Sequence, residues 1–147
     1  MYIPEIITPK SLEQKKLYVS EIARGDERIL VVDDEDAIAQ LIYKMLEPLG
    51  YKVTTFTSSI EALEIFPKQP NNFDLIITDM TMPKMTGMEL SQEVLKIAPD
   101  IPIIICTGFS NLITNEKALN IGAKQLIMKP VIKRDMAKAI REVLDNH

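Results

Sequence analysis

Along the chain, apolar and polar positions follow two alternating periods from Arg28 onward. Ile29–Val32 is a short aliphatic run that ends in acids. Asp36 to Leu49 carries apolar residues at Ile38, Leu41, Ile42, Met45, Leu46 and Leu49, which is helical spacing, and Gly50 follows as a C′ residue. Lys52–Phe56 alternates weakly and predicts a strand. Ser58 with Glu61 forms the sequence signature of a capping box and predicts a helix to about Phe66. The stretch PKQPNN is a loop. Leu75–Thr78 predicts a buried strand ending at Asp79. Thr86 with Glu89 repeats the capping-box signature and opens a helix to about Ala98. Residues 101–107, IPIIICT, form a third core strand. A helix over Asn111–Ile121 stops at Gly122, and Gln125–Met128 is a short strand before Lys129 and Pro130. The last helix runs from Ile132 to Asp145, with Ile132, Met136, Ala139, Ile140 and Val143 as its core face.

The sum is a (βα)₅ pattern. Aliphatic strands between amphipathic helices predict a parallel sheet covered on both faces. Residues 1–27 lack this regularity and mix Pro, charge and scattered apolar side chains. They read as a linker, with a short strand at Tyr2–Ile3 and a weak helix over Leu12–Ile22. The folded unit is residues 28–147.

Composition narrows the chemistry. The chain has 147 residues, a formal charge of −4 and a pI of about 5.1, which disfavours nucleic acid as a partner of this domain. Cys106 is the only cysteine and lies in an apolar strand, so it reads as an inert buried thiol with no disulfide partner. His147 is the only histidine, which argues against a His-based metal site or a catalytic triad. No apolar run is long enough to span a membrane and the start lacks a signal pattern, so the expected compartment is the cytoplasm.

The ends of the strands collect the remaining polar residues. Asp33 and Asp34 follow the first strand, Asp79 the third, Thr107 the fourth and Lys129 the fifth. Each has a bland reading alone: a helix cap, a turn residue, a solvated lysine. Asp79 resists that reading, because no helix needs a cap until Thr86. In open parallel sheets, ligands bind beyond the C-terminal strand ends, where strand order reverses. Carboxylates converging there stay ionised only beside a cation. An oxygen-only donor set selects a hard ion, Mg²⁺ first, with Mn²⁺ as an alternative. An ammonium and a hydroxyl beside one carboxylate would complete an electrostatic cradle for a phosphoryl group.

The segments VVDDE (31–35), ITDMTMPKMTGMEL (77–90), ICTGFS (105–110) and LIMKP (126–130) resemble, in order and spacing, the response-regulator receiver family. The resemblance covers Arg28 to about Asp145. It implies a flavodoxin-like doubly wound sheet of strand order 2-1-3-4-5. It implies that Asp79 is the phosphoacceptor, that Asp34, Asp79 and the Thr81 backbone carbonyl bind Mg²⁺, and that Asp33 acts on the metal through water. Thr107 would move to the phosphoryl group and Lys129 would pair with Asp79 and then with phosphate. The peptide before Pro130 is often cis in the family. Two features depart from the pattern. Leu126 stands where an aromatic switch residue is common, and Thr81 and Phe109 occupy the positions that tune phosphoaspartate lifetime.

The resemblance also implies partners. The donor is a phosphohistidine on a kinase or phosphotransfer domain, approaching near Ala37 and Ile38. The face of the fourth helix, fifth strand and fifth helix is the expected output and homodimer surface. The start, MYIPEI, resembles the last strand of a sensor-kinase ATPase domain, which suggests a receiver from a hybrid histidine kinase rather than a stand-alone regulator. Three other readings compete. An Asp-nucleophile phosphohydrolase wants an acid two residues beyond its nucleophile, where Asp79 has Thr81 and Asp33 has Glu35. A degenerate interaction module would lack a key residue, and here all five are present. A nucleotide or flavin binder wants a Gly- or Ser/Thr-rich phosphate loop, where this chain has VVDDED.

Overall fold

A computed structural model describes residues 25–108 and 112–145 of the chain. The strand at Tyr2–Ile3, the helix over Leu12–Ile22 and Phe109 lie outside the described residues. The elements are β1 (Arg28–Val32), α1 (Asp36–Leu46), β2 (Lys52–Phe56), α2 (Ser59–Ile65), β3 (Leu75–Asp79), α3 (Gly87–Ile97), β4 (Ile103–Thr107), α4 (Leu112–Asn120), β5 (Gln125–Met128) and α5 (Lys133–Asp145). All four strand pairings are parallel, in the order β2-β1-β3-β4-β5. This is the flavodoxin-like doubly wound sheet.

Strand periodicity divides the core in two. Ile29, Val31, Leu75, Ile77 and Ile104 pack beneath α1 and α5, against Ile42, Leu46, Met136 and Ile140. Leu30, Val32, Ile76, Ile103 and Ile105 face the other way, against Ala62 of α2, Leu90 and Val94 of α3 and Ala118 of α4. A strand buried on both faces needs apolar residues at successive positions, which is why β1, β3 and β4 read as continuous runs. β2 is an edge strand with no fully buried residue, which accounts for its weak alternation.

Several boundaries differ from the sequence expectation, for backbone reasons. α1 stops at Leu46, and Glu47–Leu49 forms a 3₁₀ turn around Pro48, which has no N–H to continue the α-helical ladder. Gly50 then takes a φ of 104° and donates its N–H to the Glu47 carbonyl, closing the helix as its left-handed cap. β4 starts at Ile103, because Pro102 cannot donate; its carbonyl still accepts from Ile76. Ser58 accepts the Glu61 N–H at 3.3 Å, which is half of the box expected there. The box at Thr86 is complete, with both reciprocal bonds formed. Ile132 is not a core residue: it precedes α5 and is 53% exposed, and Ala137 is buried in addition to the remaining four.

The turn from β3 into α3 is held tightly. The Gly87 N–H donates to the Met80 carbonyl at 2.9 Å. A Cβ on Gly87 would lie 2.1 Å from the Asp79 carbonyl oxygen, so only glycine permits this approach. Gly87→Ala must push α3 off the end of β3 and should lower the unfolding free energy by about 1–3 kcal/mol. Thr86→Ala, which removes only the cap, should cost about 1 kcal/mol. Urea unfolding of both variants checks the ranking; an equal or reversed cost would contradict the close-approach argument.

Candidate functional site

The winding of the chain creates the site. From β1 the chain turns to β2 on one side and then crosses to β3 on the other, so β1 and β3 flank a switch point with their C-terminal ends side by side. Asp33 and Asp34 follow β1, and Asp79 is the last residue of β3. One carboxylate oxygen from each of Asp33, Asp34 and Asp79 lies within 4.8 Å of the others. Asp33 and Asp79 are 2% and 4% exposed, while Asp34 faces solvent. From the end of β5, Lys129 reaches over and its Nζ lies 2.7 Å from Asp79 Oδ1. Thr107, the last residue of β4, is buried, and its carbonyl accepts the Lys129 N–H at 2.8 Å.

Backbone bonds fix these positions. The Asp33 N–H donates to the Phe56 carbonyl at 3.1 Å, and the Met80 N–H to the Cys106 carbonyl at 2.8 Å, so both acidic strand ends stay tied to their neighbours. Asp33 Oδ1 accepts the Glu35 N–H at 2.9 Å. Glu35 itself is the N-cap of α1, in extended conformation. The Lys129–Pro130 peptide is cis. Leu126 is half-buried and packs on the α2–α4 side of the sheet, while Thr81 is exposed in the β3–α3 loop.

Three carboxylates and one ammonium make an unbalanced cluster. Two unit charges at this separation repel by roughly 3–4 kcal/mol at an effective dielectric of ~20. Burial and the neighbouring charges together move the protonation of these groups. Burial pushes Asp33 up to about 6, helped by the charges of Asp79 and Asp34 and opposed by the Glu35 N–H and by Lys129. Asp79 also lies above the ordinary carboxylate range, chiefly through burial, against the pull of its bond to Lys129. Burial works against the Lys129 ammonium, but its bond to Asp79 and the attraction of Asp79 and Asp33 carry its pKa above that of a free lysine. Burial pushes the Cys106 thiol up to about 12, so it stays protonated and is no nucleophile. Oxygen atoms alone converge here, which suits a hard divalent ion and leaves no soft-metal ligand set.

Two features of the site escaped the sequence reading. The buried Ser59 hydroxyl donates to the Met85 carbonyl at 3.0 Å, across 26 residues. Lys84, in the same loop, has a φ of 69°. Ser59 was hidden behind its neighbour Ser58, whose capping pattern accounts for a serine there. A lysine gives no local sign of a left-handed backbone.

The comparisons with known proteins agree with this geometry. The model of the response regulator receiver domain family matches residues 29–141. A probable transcriptional regulator, ycf27, of Cyanidium caldarium is 37% identical over 116 residues, covering 79% of this chain and 45% of the relative. The chain thus spans about half the length of the ycf27 relatives it matches. The response regulator receiver protein CpdR of Brucella abortus (strain 2308) is 33% identical, covering 80% of this chain and 96% of that protein. The sensor kinase CckA of the same organism is 28% identical over 155 aligned positions, covering 99% of this chain and 16% of the kinase. A crystal structure of a response regulator receiver domain protein from Clostridium thermocellum superposes with a TM-score of 0.78 at 41% identity, covering 82% of this chain and 95% of that one. With the sheet order and the acidic crevice in place, the chain belongs to the response regulator receiver domain family of two-component signalling.

Proposed function

We propose that Asp79 accepts a phosphoryl group from a phosphohistidine, with Mg²⁺ held by Asp34, Asp79 and the Thr81 carbonyl and oriented through water by Asp33. The observation that carries the reading is the convergence of Asp33, Asp34 and Asp79, with Lys129 Nζ 2.7 Å from Asp79. Receiver domains accept phosphoryl groups from kinases. When bound, Mg²⁺ would neutralise phosphoryl oxygens and make a negatively charged donor tolerable at an acidic crevice; Mn²⁺ could serve in its place. The chain's own residues do the rest. An oxygen of Asp79 attacks phosphorus, the phosphorus–nitrogen bond of the donor breaks, and the imidazole nitrogen leaves with the electron pair. Lys129, already paired with Asp79, passes to a phosphoryl oxygen as charge leaves the carboxylate. The Thr107 hydroxyl follows the phosphoryl group and links the site to the face of α4, β5 and α5, the proposed output and homodimer surface. Leu119 and Met128 of that surface are exposed. Leu126 makes the switch non-aromatic, and Thr81 and Phe109 set the lifetime of the acyl phosphate.

A hybrid-kinase context fits better than a stand-alone regulator. The alignment with the sensor kinase takes in 99% of this chain, against 79–80% for the ycf27 and CpdR relatives, so it extends over the segment before β1. On this reading residues 1–27 are the linker from a kinase core, the donor approaches near Ala37 and Ile38, and the domain works in the cytoplasm. No helix among the described residues is long and apolar enough to cross a membrane. Sequencing the reading frame upstream of Met1 decides: continuation into a kinase core supports the hybrid, and an in-frame stop close to Met1 supports the stand-alone regulator.

Incubation with Mg²⁺ and acetyl phosphate should add one phosphoryl group by intact mass. The adduct should be absent in EDTA and in Asp79→Asn, and Lys129→Ala should slow loading by about 100-fold or more. An adduct retained by Asp79→Asn would refute the assignment.

The pH dependence follows from Asp33. Its folded-state value of about 6 lies above the ordinary 3.8, so the folded chain binds this proton more tightly than the unfolded chain. Stability in EDTA should therefore fall as pH rises from about 4 through about 6. Asp33→Asn, which keeps an oxygen for the Glu35 N–H, should be roughly 1–2 kcal/mol more stable than the parent at pH 8. The gap should close near pH 4. Urea unfolding in EDTA at the two pH values measures it; a gap that does not change with pH would show that Asp33 is not strained by its charge.

A further inference from the structure

We infer that Ser59 is a positioning residue for the metal centre, acting through the loop that carries Thr81. The inference rests on the metal reading given above. The loop between β3 and α3 is built around an unfavourable turn. The Met85 N–H donates to the Pro83 carbonyl at 2.7 Å, closing a three-residue turn with Lys84 at its centre and φ of 69°. A γ-turn with positive φ is rare and strained, and a lysine gains nothing there that glycine would not give more cheaply. Strain of this kind persists only where surrounding contacts over-determine it.

Those contacts come from two elements, α3 and α2, and hold the chain just after the turn. On the α3 side, Gly87 is fastened to Met80, and Thr86 is held in the capping box. A further fastening comes from a different element. Ser59, 3% exposed in the first turn of α2, donates its hydroxyl to the Met85 carbonyl. Its neighbour Ser58 performs the helix capping, so the Ser59 hydroxyl is not needed for α2. Asp34, Ser58, Ser59, Met82, Pro83 and Lys84 line one recess, so the pinned loop and an acid of the cluster share a wall. With Met80 tied to β4 and Met85 held by Ser59, the segment that carries the Thr81 carbonyl is fastened at both ends. Without the Ser59 hydroxyl, Lys84 is free to return to negative φ, and the loop moves with it.

Residues that orient the ligands of a metal commonly change its affinity by 10–100-fold when replaced. Ser59→Ala should weaken Mg²⁺ binding by about tenfold, read by calorimetry on the full chain. Lys84→Gly supplies the discriminating partner, because glycine holds positive φ without the clamp. It should change affinity little beside Ser59 but recover most of the loss in the Ser59→Ala background. That is a coupling which removal of a nearby positive charge alone would not give. The intraresidue amide–Hα NOE of Lys84, taken without metal, should be strong in the parent, as the short distance at positive φ requires, and weaken in Ser59→Ala. Unchanged Mg²⁺ affinity in Ser59→Ala, an unchanged Lys84 NOE, or equal effects of Lys84→Gly in both backgrounds would each overturn the role of Ser59. A parent chain that takes up no Mg²⁺ would instead overturn the metal centre itself, and the role of Ser59 with it.

Discussion

Three carboxylates held within 4.8 Å of one another, two of them buried, form the constraint around which this molecule is organised. No folded protein gathers such charge without a compensating force. Burial and mutual repulsion leave Asp33 and Asp79 easier to protonate than free aspartates, and the bond and attraction to these acids leave Lys129, against its burial, harder to deprotonate than a free lysine. A single ammonium offsets one of the three charges. The balance is the kind that a hard divalent cation and a phosphoryl group would restore together, so the electrostatic cost stored in the free domain becomes affinity for its ligands.

The aliphatic core supplies the rigidity that this arrangement needs. β1, β3 and β4 are buried on both faces and locked by parallel ladders, so the strand ends cannot drift apart to relieve the repulsion. The crossover from β2 to β3 places the two acidic strand ends side by side. Each further group comes from the next strand along: Thr107 from β4 and Lys129 from β5, joined by the bond from the Lys129 N–H to the Thr107 carbonyl. The site is therefore a property of the sheet edge, and the helices serve mainly to keep the sheet dry and flat enough to present it.

Much of this could be read from the sequence because the signals are strong and local. Continuous runs such as residues 75–78 can only be buried strands in this context, and polar residues at the ends of four such runs point at one another once the sheet is parallel. The failures have specific causes. Pro48 and Pro102 shortened a helix and a strand through the missing N–H, an effect that the apolar periodicity does not register. Ile132 fits the helical face by spacing but precedes α5, so the spacing rule did not apply to it. Ser59 and Lys84 carry no pattern at all. Their roles arise from a contact across 26 residues and from a backbone angle, and both depend on tertiary placement rather than on neighbours in the chain.

On the proposed reading, the electrostatic strain at this sheet edge is directed at one carboxylate. The most direct test of that reading is to load the chain with Mg²⁺ and acetyl phosphate, reduce the acyl phosphate with borohydride, and locate the product by peptide mass spectrometry. The account predicts homoserine at position 79 and at no other acidic residue. Reduction at Asp33 or Asp34, or at several carboxylates without preference, would contradict it.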